Sequence, residues 1–448
     1  NSLFSPRLST PLTERVFKYK NYHNLGILLN MKTVLDLHIH SKYARACSPQ
    51  LTLANIDKTC RDKGIGIVAT GDFTYPAWFS SIEKELEEIG DSGLYRLKKA
   101  EDNTVKFILS TELSLIYKDG GKARRVHIMV TAPNLKAARE LNNFLDKHYN
   151  IRSDGRPILG MSCPKLVELC LSIHPNFLIY PAHIWTPWFA MFGSKSGFDT
   201  VEECFHEQTE HIYAYETGLS SDPLMNWRLS QLDHLTLLSS SDAHSLPNLA
   251  REANVFDLSE EPSYLEIYEI IKTKNTKKIL YTIEFWPEEG MYHYDGHRAC
   301  NISFTPQQSK KHKNLCPSCG KPLVIGVLNR VEALADRPEG FKPENTVPFR
   351  QTVELDKIIG EAFDIKNRQS AKIQLQYRAM VQSLGSELDI LLEMPLERIA
   401  KAAPAEIVEG IRRVREGELF VTPGFDGQYG TVRIFSPQEK KERQQKLF

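Results

Sequence analysis

From residue 31 onward, apolar positions fall into short extended runs separated by stretches with helical spacing. The pattern predicts strands at residues 34–40, 65–73, 105–114, 125–131, 177–185, 212–217 and 236–240. It predicts helices at Leu53–Lys63, Leu135–His148, 164–172 and 263–274. Strands alternating with helices read as a parallel sheet, because each connecting helix covers a face of it. About seven such units over residues 31–285 point to an α/β closed or distorted barrel more than to an open sheet. Residues 1–30 are rich in Ser, Pro and Asn, lack periodicity, and are expected to be a disordered extension ahead of Met31. Residues 286–340 hold a Cys/His cluster and few periodic runs, which predicts a small metal-organised module. Residues 341–436 are mostly helical, with two short amphipathic helices expected in 388–416, split at Pro395 and Pro404. The polar stretch 437–448 is expected to order only on binding.

Composition narrows the class. The chain has 448 residues, 41% hydrophobic and 25% charged, as in ordinary soluble proteins. No apolar run reaches the roughly 18 residues that cross a bilayer, and the first thirty residues lack a signal-like apolar core. Of eight cysteines, Cys300, Cys316 and Cys319 cluster and the other five are scattered. Free thiols of this kind fit a reducing, cytoplasmic compartment. Lys and Arg together number 56, matching 56 Asp and Glu. Exact neutrality argues against coating nucleic acid by bulk charge but leaves room for local basic patches such as Arg124-Arg125.

Candidate chemistry sits at the predicted strand ends. His38 and His40 close the first strand as His-x-His, and alternation puts both imidazoles on one side. Asp72 ends the second strand, Glu112 the third, His183 the fifth and Glu216 the sixth. His127 lies in the fourth, and Asp242 and His244 close the seventh as Asp-x-His. In a β/α barrel these ends ring one face, where active sites lie. Imidazole with carboxylate suits Zn, Mn or Fe better than Mg alone. More than six ligands implies two or three divalent ions, an arrangement suited to phosphoester hydrolysis. The expected barrel ligands are His38, His40, Asp72, Glu112, His127, His183, Asp242 and His244, with Asp72, Asp242 and His244 in catalytic roles.

These motifs, Asp36-Leu37-His38-Ile39-His40-Ser41, Glu112, His127, Pro181-Ala182-His183 and Ser241-Asp242-Ala243-His244, resemble those of the PHP (polymerase and histidinol phosphatase) superfamily. The resemblance implies a distorted (β/α)7 barrel that holds up to three metals. Two motifs depart from the PHP pattern: Lys42-Tyr43-Ala44-Arg45 lacks the usual Asp, and Thr70-Gly71-Asp72-Phe73 replaces Thr-Asp-His.

Further on, His297-Arg298-Ala299-Cys300 and Cys316-Pro317-Ser318-Cys319-Gly320 form two knuckles separated by 15 residues. That spacing fits a closed tetrahedral structural zinc held by His297, Cys300, Cys316 and Cys319, with His293 as an alternative to His297.

The order barrel, zinc module, helical segment resembles the endonuclease Q family over about residues 31–436. Carrying stretches include His183-Ile184-Trp185-Thr186-Pro187-Trp188-Phe189, Phe192-Gly193-Ser194-Lys195-Ser196-Gly197-Phe198-Asp199 and Glu216-Thr217-Gly218-Leu219. The resemblance implies cleavage of DNA on the 5′ side of deoxyuridine, deoxyinosine, xanthine or abasic sites. Tyr75 and Asn329 stand where that family's pattern has His. Trp185, Trp188 and Phe189 offer faces for a base taken out of the stack, Lys195 a phosphate contact and Tyr75 a further substrate contact, while Glu216 either orients a ligand or contacts substrate. At the C-terminus, Gln444-Gln445-Lys446-Leu447-Phe448 resembles a bacterial sliding-clamp-binding peptide, with Gln444, Leu447 and Phe448 as anchors. Two rival readings are a small-molecule phosphatase of the PHP type and a non-catalytic module that binds damaged DNA. No membrane partner is expected.

Overall fold

The computed structural model describes residues 15–17, 32–100 and 102–440. Its largest element is an eight-stranded sheet in the order Phe349–Gln351, Ile279–Glu284, Ala253–Asp257, Lys32–Asp36, Ile67–Ala69, Lys106–Ile108, Tyr95–Leu97, Leu86–Glu88. A four-stranded sheet (Leu178–Pro181, Lys122–Thr131, Ser110–Asp119, Ile158–Leu159) and a parallel pair (Ala214–Glu216 with Thr236–Leu238) complete the mixed α/β body. Near-continuous Ile, Val and Leu runs such as Ile67–Ala69 are buried on both faces, as parallel strands under helices must be.

The expected all-parallel sheet needs correcting. Lys32–Asp36, Ile67–Ala69 and Lys106–Ile108 are parallel neighbours. Ser110–Asp119 and Lys122–Thr131, however, form a long antiparallel hairpin rather than two helix-linked strands. Gly120 and Gly121 turn it with φ of 57° and 75°, the left-handed pair a two-residue hairpin loop demands. The strand Ala253–Asp257 is also antiparallel to Lys32–Asp36.

Helices Leu53–Lys63 and Leu135–His148 form at the expected residues, capped by Thr52 and Asn134 side chains that accept from Asn55 and Ala137 amides. In the C-terminal region, residues 388–416 hold parts of three helices instead of two: Glu387–Leu392, Leu396–Ile399 and Ala405–Glu416. Pro395 and Pro404 each stand at the N-cap, where a missing amide costs nothing, so they start helices rather than only splitting them. This helical region has its own apolar core around Leu355, Ile359, Ile390, Ile411 and Phe435. It also supplies Phe349–Gln351, which pairs parallel with Ile279–Glu284 at the edge of the large sheet.

Within the segment expected to be disordered, Arg15–Phe17 is a strand paired with Leu419–Thr422. The clamp anchors Gln444, Leu447 and Phe448 lie outside the described residues. Among the described residues no helix is long and apolar enough to cross a membrane.

Candidate metal centre

The strand ends do converge. Ligand atoms of His38, His40, Glu112 and Asp242 lie within 4.8 Å of one another, and so do those of Glu112, His127 and His183. Glu112 belongs to both groups. Its Oε1 is 2.6 Å from His127 Nδ1 and 3.0 Å from His183 Nε2, and its Oε2 is 3.3 Å from His40 Nε2. Asp242 Oδ1 is 3.0 Å from His40 Nε2 and 3.6 Å from His38 Nε2.

Four of the expected site residues are held in the left-handed backbone region: Asp72 (φ 44°), His183 (φ 27°), Phe189 (φ 60°) and Asp242 (φ 46°). Such conformations are costly for residues with a Cβ and collect at functional sites. The close fit extends to glycines. At Gly71 (φ +62°) a Cβ would come within 2.4 Å of the Ile39 carbonyl oxygen, beside the His-x-His strand. Gly71→Ala is therefore expected to destabilise the fold by about 2–4 kcal/mol, read from chemical denaturation. A wild-type unfolding midpoint would refute this account of the turn.

Asp72 departs from its expected role as a ligand, and Glu216 takes the first of its two expected roles, orienting a ligand, rather than touching substrate. Asp72 Oδ1 is 3.0 Å from His40 Nδ1, and its Oδ2 accepts the Ser41 amide at 2.6 Å. Both oxygens are thus engaged in orienting a ligand, and Asp72 belongs to neither ligand group. Glu216 is fully buried; it accepts the His183 amide at 3.0 Å and sits 2.9 Å from His38 Nδ1. Carboxylates on the outer nitrogen fix the imidazole tautomer and leave Nε2 with its lone pair free. His244 also lies outside the two groups. Its Nδ1 donates to the Asp242 carbonyl at 2.8 Å, and its ring packs 4.6 Å from that of His40.

Electrostatics support a cation here. Burial would lower the pKa of His38, but Glu216 and Glu112 outweigh it and hold the imidazole well above its usual range. His40 behaves likewise beside Asp72 and Asp242. Burial pushes His127 down to about 4, so it stays a neutral donor. Buried carboxylates thus demand positive charge, which divalent ions satisfy. The buried His38 Nε2 has no hydrogen-bond partner. An orphaned imidazole nitrogen among carboxylates fits a metal ligand.

The sequence reading missed several neighbours. Arg156 reaches into the cluster, its Nη1 2.9 Å from Glu112 Oε2; only a short Asp-Gly turn marks its segment. Asp36 accepts the Ser241 and Ala250 amides and so props the Asp242 turn. A cleft of about 520 Å³ holds Asp242 and His244 together with Trp188, Arg251, Lys357 and Tyr429. Trp188 is 38% and Tyr429 76% exposed. Trp185, expected to stack on a base, is instead buried and donates its indole N–H to Asn226 Oδ1 at 2.8 Å. Phe189 is half-buried against His127, at 4.8 Å between rings, and Lys195 is exposed. Tyr75 stacks on Tyr43 at 4.7 Å. Asn329 donates to Asp295 at 2.5 Å, a purely structural bond.

The second cluster lies further along the chain. His297, Cys300, Cys316 and Cys319 bring their ligand atoms within 4.8 Å of one another. The Cys316 amide donates to Lys321 O and the Gly320 amide to Cys316 O, both at 2.8 Å, which forms the knuckle turn. A backbone bond from Lys321 lowers the Cys319 thiol below its ordinary range, toward thiolate. His293, the alternative ligand, is buried elsewhere and is not part of the group.

Comparison with known proteins places this geometry. Residues 354–418 match the family model for the MJ0043 C-terminal domain. An uncharacterised protein of Methanocaldococcus jannaschii, MJ0043, is 29% identical over 57% of this chain but 32% of its own length, so the chain spans about a third of that relative. The uncharacterised protein YqxK of Bacillus subtilis is 26% identical over 90% of this chain and 99% of its own. The crystal structure of the lesion-specific endonuclease Q of Pyrococcus furiosus superposes with a TM-score of 0.79 at 29% identity, covering 92% of this chain and 99% of that one. An endonuclease Q bound to a 27-mer duplex with an abasic lesion at its active site gives a TM-score of 0.78 and 30% identity, over 91% of this chain and 97% of that one. Identity and shape thus agree along nearly the whole length of both molecules, and the chain belongs to the endonuclease Q family.

Proposed function

We propose that this protein is a DNA repair endonuclease that hydrolyses the phosphodiester on the 5′ side of deoxyuridine, deoxyinosine, xanthine or abasic sites. The observation that carries the proposal is Glu112, a buried carboxylate shared by two ligand groups beside an open cleft. A pair of sites joined by one carboxylate suits two ions acting on one phosphate. The family neighbours support the substrate class: one is a lesion-specific endonuclease, and the other is bound to a duplex with an abasic lesion.

In this reading the strand ends belong to a PHP barrel. His38, His40, Glu112 and Asp242 hold one ion and Glu112, His127 and His183 another. Divalent ions there supply hydroxide near neutral pH and neutralise charge on the phosphate oxygens. The protein's own groups do the rest. Asp72 and Glu216 hold protons on the outer nitrogens of His40 and His38. His244 donates from Nδ1 to the Asp242 carbonyl, and burial lowers its pKa, so Nε2 keeps a lone pair able to take a proton from the attacking water. Trp188, at the cleft wall beside Tyr292 (5.5 Å between rings), offers a face to an extruded base. His297, Cys300, Cys316 and Cys319 hold the structural zinc.

The test is incubation with labelled duplex carrying one deoxyuridine, with and without Mg or Mn. A single nick on the 5′ side of the lesion, dependent on metal, is expected. Turnover of phosphate monoesters without nicking would instead identify a phosphatase, and binding without either activity a damage-recognition module.

A further inference from the structure

The chain is neutral overall, and its surface arginines are mostly matched by acids, as in Arg139–Glu83, Arg152–Asp146 and Arg412–Glu409. One group of exceptions lies around a single cavity. Lys122, Arg124, Arg125 and Lys195 form no ion pair among the described residues. Three of them, Lys122, Arg124 and Lys195, line a separate polar cavity of about 300 Å³ with Ser194, Ser196 and Arg330.

The cavity is a built feature. The Arg125 amide donates to Ser196 O at 3.2 Å and the His127 amide to Phe189 O at 3.0 Å, so the 189–196 loop runs alongside the strand Lys122–Thr131. Arg124 bonds the Gly197 carbonyl and lies 4.0 Å over the Phe198 ring. Arg330 bonds the carbonyls of Phe192 and Phe198 and pairs with Asp199 at 2.6 Å, which spends the nearest acid. The second acid of the cavity, Glu203, accepts the Asp199 amide at 3.0 Å. Gly193 and Gly197 are required by the tight loop: a Cβ at Gly197 would meet the Gly193 nitrogen at 2.5 Å. The Ser194 and Ser196 amides have no acceptor among the described residues. Free amides in a loop beside unpaired cations are the chemistry of an anion nest.

Its location selects the anion. Lys122 is five residues from His127 on one extended strand, roughly 17 Å away. One DNA strand presents about five phosphates over that length of helix axis. We infer that Lys122, Arg124 and Lys195, with the Ser194 and Ser196 amides, bind a single backbone phosphate of the duplex flanking the lesion, outside the metal centre. This inference rests on the DNA endonuclease reading and extends the contact expected of Lys195 alone into a composite site.

The experiment measures binding of the intact protein to a labelled duplex with one abasic-site analogue across a salt series. The double variant Lys122→Ala/Lys195→Ala should show a slope of log K against log salt about 0.9 shallower than wild type, the value for one phosphate. The Lys122→Arg/Lys195→Arg pair should restore it. Replacing single phosphates by neutral methylphosphonates should reveal one position that weakens wild type but not the alanine variant. An unchanged slope, or no such position, overturns the pocket while leaving lesion cleavage intact. Absence of salt-dependent DNA binding by wild type would overturn the pocket and the nuclease reading together.

Discussion

Replacing Glu112 with glutamine should lower lesion cleavage by about a thousandfold or more and leave the purified protein without the ions proposed for its two ligand groups. The size of the effect follows from the position of Glu112. It alone belongs to both ligand groups, so one neutralised carboxylate weakens two sites. Its oxygens also meet His127, His183 and His40. Glutamine keeps the shape and removes the charge, so a packing role would leave metal content unaltered. Elemental analysis should find little beyond the structural zinc. Melting should show that added Mn stabilises wild type and not the variant, because only a bound ion shifts the folding equilibrium. A Glu112→Gln protein with full metal content and normal nicking would refute the two-ion centre.

The second large effect is expected at Cys316→Ser. Between His297 and Pro322, only Pro306, Ser309 and Cys316 are buried, so this stretch has almost no apolar core to hold it. A structural zinc contributes about 10–16 kcal/mol of apparent binding energy, and the zinc proposed here would supply that as folding energy. Without the Cys316 thiolate, trypsin should cut quickly at exposed Lys310, Lys311 and Lys313 while the rest of the chain resists. Chelation of the wild type should reproduce that pattern. A protease-resistant segment lacking zinc would show that no metal organises it.

Much of this site is legible in sequence because chemistry is concentrated in a few residue types. His-x-His, Pro-Ala-His and Asp-x-His mark strand ends, and six of the eight expected ligands meet in the two groups. The division of labour among carboxylates is not legible. Asp72 and Glu216 differ from Glu112 and Asp242 in which imidazole nitrogen they face, and spacing carries no record of that. Aromatic exposure is equally hidden: Trp185 and Trp188 are three residues apart, yet one packs inside and the other lines the cleft. The hairpin at Gly120-Gly121 carried a readable turn signal, but the surrounding strand–helix alternation outweighed it. Arg156 reaches Glu112 from a loop 44 residues away, a contact set by tertiary packing alone.

The three-residue strand Phe349–Gln351 makes the C-terminal helices more than an appendage. It forms one edge of the eight-stranded sheet and covers part of the longer strand Ile279–Glu284. A bared rim of unpaired amides and carbonyls templates association with other chains. Loss of this region should therefore bare the Ile279–Glu284 edge and be felt first as aggregation of the remaining body.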